Sequence, residues 1–183
     1  SFLFPKYEFI IFYLVILNSY LGNNTDLDNL LSTLDKKSSL FLSLDAWNIL
    51  HEKRNSEFTI TLNRSELIKT GLGLVNSHHN GLFLEFGVAY GNSINFIAKN
   101  ISNIIHGFDS FQGLHEDWNE LTKGTFSSKG VIPEVEDNVI IHQGMFDETL
   151  PVFLKNNDEN ISFVHIDCDL YSSTKTIFDN ISD

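Results

Sequence analysis

The chain has 183 residues, 42% of them apolar, with 12 Lys plus Arg against 24 Asp plus Glu and a net charge of −12. That apolar content rules out wholesale disorder and supplies the core of one domain with at most a small extension. The acidic balance excludes nonspecific nucleic-acid binding and suits a protein that handles a cation or a metal. A single cysteine, Cys168, excludes an intrachain disulfide framework and points to a reducing, cytoplasmic setting.

Phe9 to Leu17 is an unbroken apolar run confined by Lys6, Glu8 and Asn18. A membrane span needs about 20 such residues. A signal peptide needs a basic start and a small-residue cleavage site, which Asn18-Ser19-Tyr20 does not provide. The run is therefore expected to form a buried or partner-facing helix or strand, and membrane tethering has no other support. Residues 23–80 read as mainly helical. Leu27, Leu30, Leu31 and Leu34 follow a three-four spacing, with Asp26 as a cap. Phe41, Leu44, Trp47 and Leu50 continue the rhythm, and residues 57–62 suggest a short extended stretch. Asn63 with Glu66 forms a capping-box pattern opening a helix to about Asn76.

From residue 81 the rhythm changes. Leu82–Phe86, Asn103–Phe108, Val139–His142 and Ile161–Ile166 read as strands. Helices are expected over Ser93–Asn100, Asp147–Asn156 and from Ser172 onward. This alternation predicts an α/β fold with a parallel sheet, residues 81–183, behind a helical region, residues 1–80. Asp109, Asp147 and Asp167 fall just past strand carboxyl ends, the edge where open α/β sheets bind ligands.

Three motifs carry chemistry. Glu85-x-Gly87-x-x-x-Gly91, followed by Ser93, runs a strand through a glycine turn into a helix. Gly87 admits a close backbone approach, and the helix's free N–H groups favour an anionic group. The spacing is not the dinucleotide fingerprint G-x-G-x-x-G, and a plain connecting turn is the competing reading. Asp109, ending the second strand, is placed to accept both ribose hydroxyls of a nucleoside, or to cap a helix. Asp167-Cys168-Asp169 offers two carboxylates one residue apart. They suit a hard cation such as Mg²⁺ if the strand end turns so that they converge; otherwise one binds ligand and the other caps the next helix. The seven histidines show no zinc spacing, and no base lies near Cys168 in sequence to make it a nucleophile.

The stretches LEFGVAYGNS, GFDSFQGL, KGTF, NVIIHQGMFDETLP and ISFVHIDCDLYSSTK, in this order over residues 82 to about 178, resemble the macrocin O-methyltransferase-like (TylF-type) branch of class I S-adenosylmethionine-dependent methyltransferases. The resemblance implies a Rossmann-like sheet. It implies that Glu85, Gly87, Gly91 and Ser93 line the methionine end of S-adenosylmethionine. Asp109 would hold the ribose hydroxyls, with Ser110 and Phe111 beside it, and Gly144, Met145 and Phe146 would lie near the adenine. Asp167 would be a catalytic metal ligand, Asp169 a second ligand, and Mg²⁺ the metal. Lys123, Gly124 and Thr125 match a loop that covers the substrate. The family pattern continues with a fifth strand, roughly G-G-x-x-x-x-D-D-[YW], and two more. The sequence stops before them, so the resemblance implies an incomplete sheet, and residues 1–183 alone are not expected to turn over.

The implied reaction is methyl transfer to a hydroxyl of a sugar, glycan or natural product, assisted by a metal that lowers the hydroxyl's pKa. The implied partner is thus a small-molecule or glycan acceptor; assembly into a homo-oligomer stays open. A nicotinamide-dependent oxidoreductase is disfavoured by the glycine spacing and by the lack of a Tyr-x-x-x-Lys pair. A non-catalytic nucleoside-binding or interaction module is the alternative from another class.

Overall fold

The computed structural model describes residues 11, 12, 14–16, 27–52, 61, 63–75 and 81–182. The chain divides into two compact units, Ser1–Thr59 and Ile60–Asp183. In the first, residues 11, 12 and 14–16 are helical and precede α1 (Leu27–Thr33) and α2 (Ser39–Glu52). The leucine spacing is used as expected: Leu30, Leu31 and Leu34 pack with Phe12 against buried Val15, Leu40 and Leu44. Part of the apolar run from Phe9 thus goes into a protein core, although Ile11 and Leu14 remain exposed. The Ser38 hydroxyl accepts the Phe41 N–H at 3.1 Å and so caps α2. Among the described residues no helix is long and apolar enough to cross a membrane. The expected cap at Asp26 and the extended stretch over 57–62, Thr61 apart, lie outside the described residues.

The second unit opens with α3 (Arg64–Leu74). Asn63 caps it with extended backbone, its side chain accepting the Glu66 N–H at 2.9 Å. The rest follows the expected order: β1 (Leu82–Phe86), α4 (Asn92–Ala98), β2 (Ile105–Asp109), β3 (Val139–Gln143), α5 (Phe146–Lys155), β4 (Ile161–Ile166) and α6 (Tyr171–Ile181). The four strands form one sheet in the order β3-β2-β1-β4, and every pairing is parallel.

Parallel strands covered on both faces read as apolar runs rather than alternations, which is why LFLEF is a central strand. All five residues of β1 are buried. Phe83 faces one side, where Ile68 of α3 and Ile94, Ile97 and Ala98 of α4 close over it. Leu82, Leu84 and Phe86 face the other, against Leu150 and Phe153 of α5 and Ile177 of α6. The result is three layers, helix on sheet on helix. From β1 the chain steps outward to β2 and β3, then returns to the opposite side of β1 as β4. That reversal opens a crevice at the carboxyl edge between β1 and β4, the switch point where such sheets take ligands.

Toward the β3 side, His106 and His142 lie in register-adjacent strands with His106 Nδ1 3.0 Å from His142 Nε2. The His142 ring stacks on Phe108, and both imidazoles pack against Phe153. Burial lowers both pKa values, and at His106 the neighbouring imidazole lowers it further while Glu159 opposes. A histidine held neutral in this way stabilises the fold above its unfolded pKa. That stability is lost as pH falls through the unfolded value, because the unfolded chain then binds more protons. Urea midpoints are therefore expected to fall between about pH 7.5 and about pH 5.5. In His142→Phe the slope over the same interval should be shallower; an unchanged slope would assign the acid sensitivity elsewhere.

Candidate active site

At the switch point lies a cavity of about 380 Å³. Each strand end supplies part of its wall. After β1, the turn Gly87–Tyr90 enters with Gly87 at φ 92° and Ala89 at φ 47°. A Cβ at Gly87 would lie 2.2 Å from the Asp167 carbonyl oxygen. Only glycine fits there, both for that contact and for the left-handed backbone. Asp109 ends β2 and is followed on the wall by Ser110 and Phe111; Gly144, Met145 and Phe146 follow β3.

Asp167, Cys168 and Asp169 follow β4, and all three line the same cavity. Residues two apart share one face of an extended chain, so the two carboxylates need no turn to lie on the same side. The chain turns here, with Asp169 at φ 60° and the Leu170 N–H bonded to the Cys168 carbonyl at 2.6 Å, and both carboxylates stay on one wall. Asp167 Oδ2 accepts from the Arg64 guanidinium at 2.8 Å. Partial burial and the Asp167 charge raise the Asp169 pKa, and Arg64 partly offsets them. The Cys168 thiol lies 3.4 Å from the Thr174 hydroxyl, and burial pushes its pKa up. That is the opposite of what a thiolate nucleophile requires.

Two residues of the glycine motif stand behind the wall. Gly91, at φ 79°, turns the chain into α4 against Pro133. Glu85 is fully buried. Its Oε1 accepts the Ser93 hydroxyl at 2.8 Å, and its Oε2 is 3.0 Å from His165 Nδ1. A carboxylate out of water needs such partners on both oxygens. Ser93 itself reaches the cavity, so Glu85 acts on the wall through Ser93 and the start of α4. Asp147 belongs to the first turn of α5, where its charge complements the helix dipole.

Residues 84–183, more than half of the chain, match the family model for a methyltransferase domain. The chain belongs to that family. Among solved structures it resembles the O-methyltransferase NovP, with 21% identity and a TM-score of 0.50 over 70% of this chain and 62% of that one. It also resembles CalS11, a TDP-rhamnose 3′-O-methyltransferase of calicheamicin biosynthesis, with 21% identity and a TM-score of 0.47 over 85% and 69% of the two chains. The likeness to NovP is one of fold, and the chain spans 62% of the NovP length. No curated protein matches the chain.

The cavity wall includes residues that the motifs do not reveal. Arg64 comes from the start of α3, and its contact with Asp167 joins positions 103 apart. His115 and Phe126 come from the β2–β3 connection. Lys123, Gly124 and Thr125 brace that connection rather than line the cavity: Gly124 N–H bonds the Leu114 carbonyl, and Leu114 N–H bonds the Thr125 carbonyl. His115 and Glu116 both reach Ser172 at the start of α6. The Asn63 capping signal located the start of α3, but nothing in a single sequence pairs Arg64 with Asp167.

Removing the buried Glu85 carboxylate leaves Ser93 and His165 without their partner. Glu85→Ala is expected to lower unfolding stability by about 3 kcal/mol or more, measured by urea denaturation. A loss below about 1 kcal/mol would mean that this pair contributes little to the domain.

Proposed function

We propose that this methyltransferase domain belongs to an S-adenosylmethionine-dependent O-methyltransferase of the macrocin O-methyltransferase-like branch, acting on a hydroxyl of a sugar, glycan or natural product. The observation that carries the reading is the convergence of three motifs on one cavity. The glycine turn after β1, Asp109 after β2 and the Asp167-Cys168-Asp169 turn after β4 share its wall. The five stretches named above support the branch and the hydroxyl acceptor. The free thiol of Cys168 suits a cytoplasmic enzyme.

The cavity fits the cofactor. Its volume lies in the usual range of small-molecule sites, about 300–1,000 Å³. Phe111, Met145 and Phe146 offer apolar wall for an adenine, and Asp167 and Asp169 offer negative charge toward a sulfonium. Bound there, S-adenosylmethionine supplies an electrophilic methyl group with its own leaving group. The protein's task is then alignment and proton removal. Asp169 is suited to receive the acceptor's proton, because its raised pKa makes it a better base than an ordinary aspartate. Asp167, fixed by Arg64, orients the acceptor hydroxyl beside it.

The donor set does not complete a Mg²⁺ site. Asp167 Oδ2 is engaged by a guanidinium, and among the described residues no three His, Cys, Asp or Glu side chains are grouped to hold a metal. No step of this mechanism runs through a metal.

Calorimetric titration tests the reading. S-adenosylhomocysteine is expected to bind in the micromolar range and NADH not to bind. Asp169→Asn should leave that affinity within about threefold and, in a chain that turns over an acceptor, lower kcat by about a hundredfold or more. Binding of NADH in place of S-adenosylhomocysteine would overturn the proposal.

A further inference from the structure

Among the described residues that line the cavity, Arg64 is the one arginine or lysine, against the aspartates Asp109, Asp167 and Asp169. The other group there that can turn cationic, His115, lies 3.2 Å from the Ser172 hydroxyl of α6. The Arg64 side chain is 63% exposed, and its contact with Asp167 Oδ2 runs through Nη1. A guanidinium presents its N–H donors as a planar fork, so most of the Arg64 fork stays free. An ion pair this exposed contributes little to the fold. The backbone beneath it is nevertheless fixed, because Asn63 caps α3 and Ile68, one turn on, is buried in the core. A long side chain on a rigid base thus carries a cation to the wall of an acidic cavity.

The cavity has two ends of different kind. Phe111, Met145 and Phe146, past the ends of β2 and β3, give apolar wall. Arg64 meets Asp167 past the end of β4, and the Asp167 carbonyl lies against Gly87 at the exit of β1. The strand order β3-β2-β1-β4 sets these two ends apart along the sheet edge. S-adenosylmethionine is divided in the same way. Adenine forms one end, and a sulfonium, an ammonium and a carboxylate form the other. With adenine on the apolar wall, the amino-acid head falls beside Arg64. There the aspartates suit the two cationic groups and oppose the carboxylate. A carboxylate drawn out of water needs a partner of opposite charge. An arginine can hold one carboxylate with part of its fork and take a second with the rest.

We propose that Arg64 grips the α-carboxylate at the amino-acid end of the cofactor while it holds Asp167, and so makes the site select an S-adenosyl ligand that carries this carboxylate. The inference rests on the cavity being the S-adenosylmethionine site.

Two measurements test it. The first titrates S-adenosylhomocysteine and its decarboxylated analogue, which lacks the α-carboxylate alone, into wild type and Arg64→Gln. The variant should bind S-adenosylhomocysteine about tenfold or more weakly, the scale of a hydrogen bond between charged groups, and the analogue no more than about threefold more weakly. Equal weakening of both ligands would leave Arg64 only its bond to Asp167 and would overturn the proposal. The second uses wild type alone, and so does not depend on the variant folding. The side-chain N–H resonances of Arg64 should move downfield on saturation with S-adenosylhomocysteine and not with the analogue. The same movement with both ligands, or none with either, would overturn it. A wild type that binds neither ligand would instead remove the cofactor reading, and this role with it, before any variant is made.

Discussion

The carboxyl edge of this sheet is organised by how closely β1 and β4 run past each other at their ends. The Asp167 N–H bonds the Phe86 carbonyl at 2.8 Å, and the next residue of β1's exit, Gly87, has room for no side chain beside Asp167. That approach decides the rest. It forces the chain after β1 into a left-handed turn, and it sets the Asp167-Cys168-Asp169 turn on the opposite wall of the same crevice. A side chain at position 87 would push the two walls apart, and with them the groups that must meet a shared ligand within ångströms.

Around that contact the site is stiffened from behind. Glu85 cannot reach the cavity, but it connects β1, β4 and the start of α4 through Ser93 and His165. Asp109 does the same for the backbone of the turns. Acidic side chains therefore play different parts here. Glu85 is consumed by the scaffold, Asp109 lines the wall while bonding backbone, and Asp167 and Asp169 lie on the wall with exposure left for a ligand. Burial and the number of hydrogen bonds set these parts, and the identity of the residue does not.

The sheet was legible because parallel strands announce themselves as short apolar runs between helices. The spans Leu82–Phe86 and Ile161–Ile166 match the reading in full, and the other two strands differ by one or two residues at their ends. Asp109, Asp167 and the turn after β3 could be placed at the edge for the same reason. What a sequence does not encode locally is which way a side chain is committed. Glu85 sits in a strand where alternation sends it to the α4 face, so a motif reading that treats the whole glycine stretch as cofactor wall overreaches there. Arg64 was invisible because its partner is far along the chain. Asp167 and Asp169 are two apart, the spacing that shares a face of an extended chain, and both line the cavity.

The segment between β2 and β3 is built differently from everything it touches. It contains no helix, and it is held by turns that bond to their own backbone, such as Trp118 with Leu121 and Leu114 with Thr125. Its attachments include Phe111 and Gly130 at its base, Gln143 on Gly130, Asn95 holding Glu134 and Glu136, Lys99 on Glu136, Asn138 on the end of α4, and Ser172 holding His115 and Glu116. A wall with its own internal bonding can change its side chains, or its length, without asking the sheet to repack. Selection for a different ligand shape can therefore act on residues 112–133 almost alone, while the strands and their clamps stay as they are. In that sense the fold keeps a replaceable panel over a fixed frame.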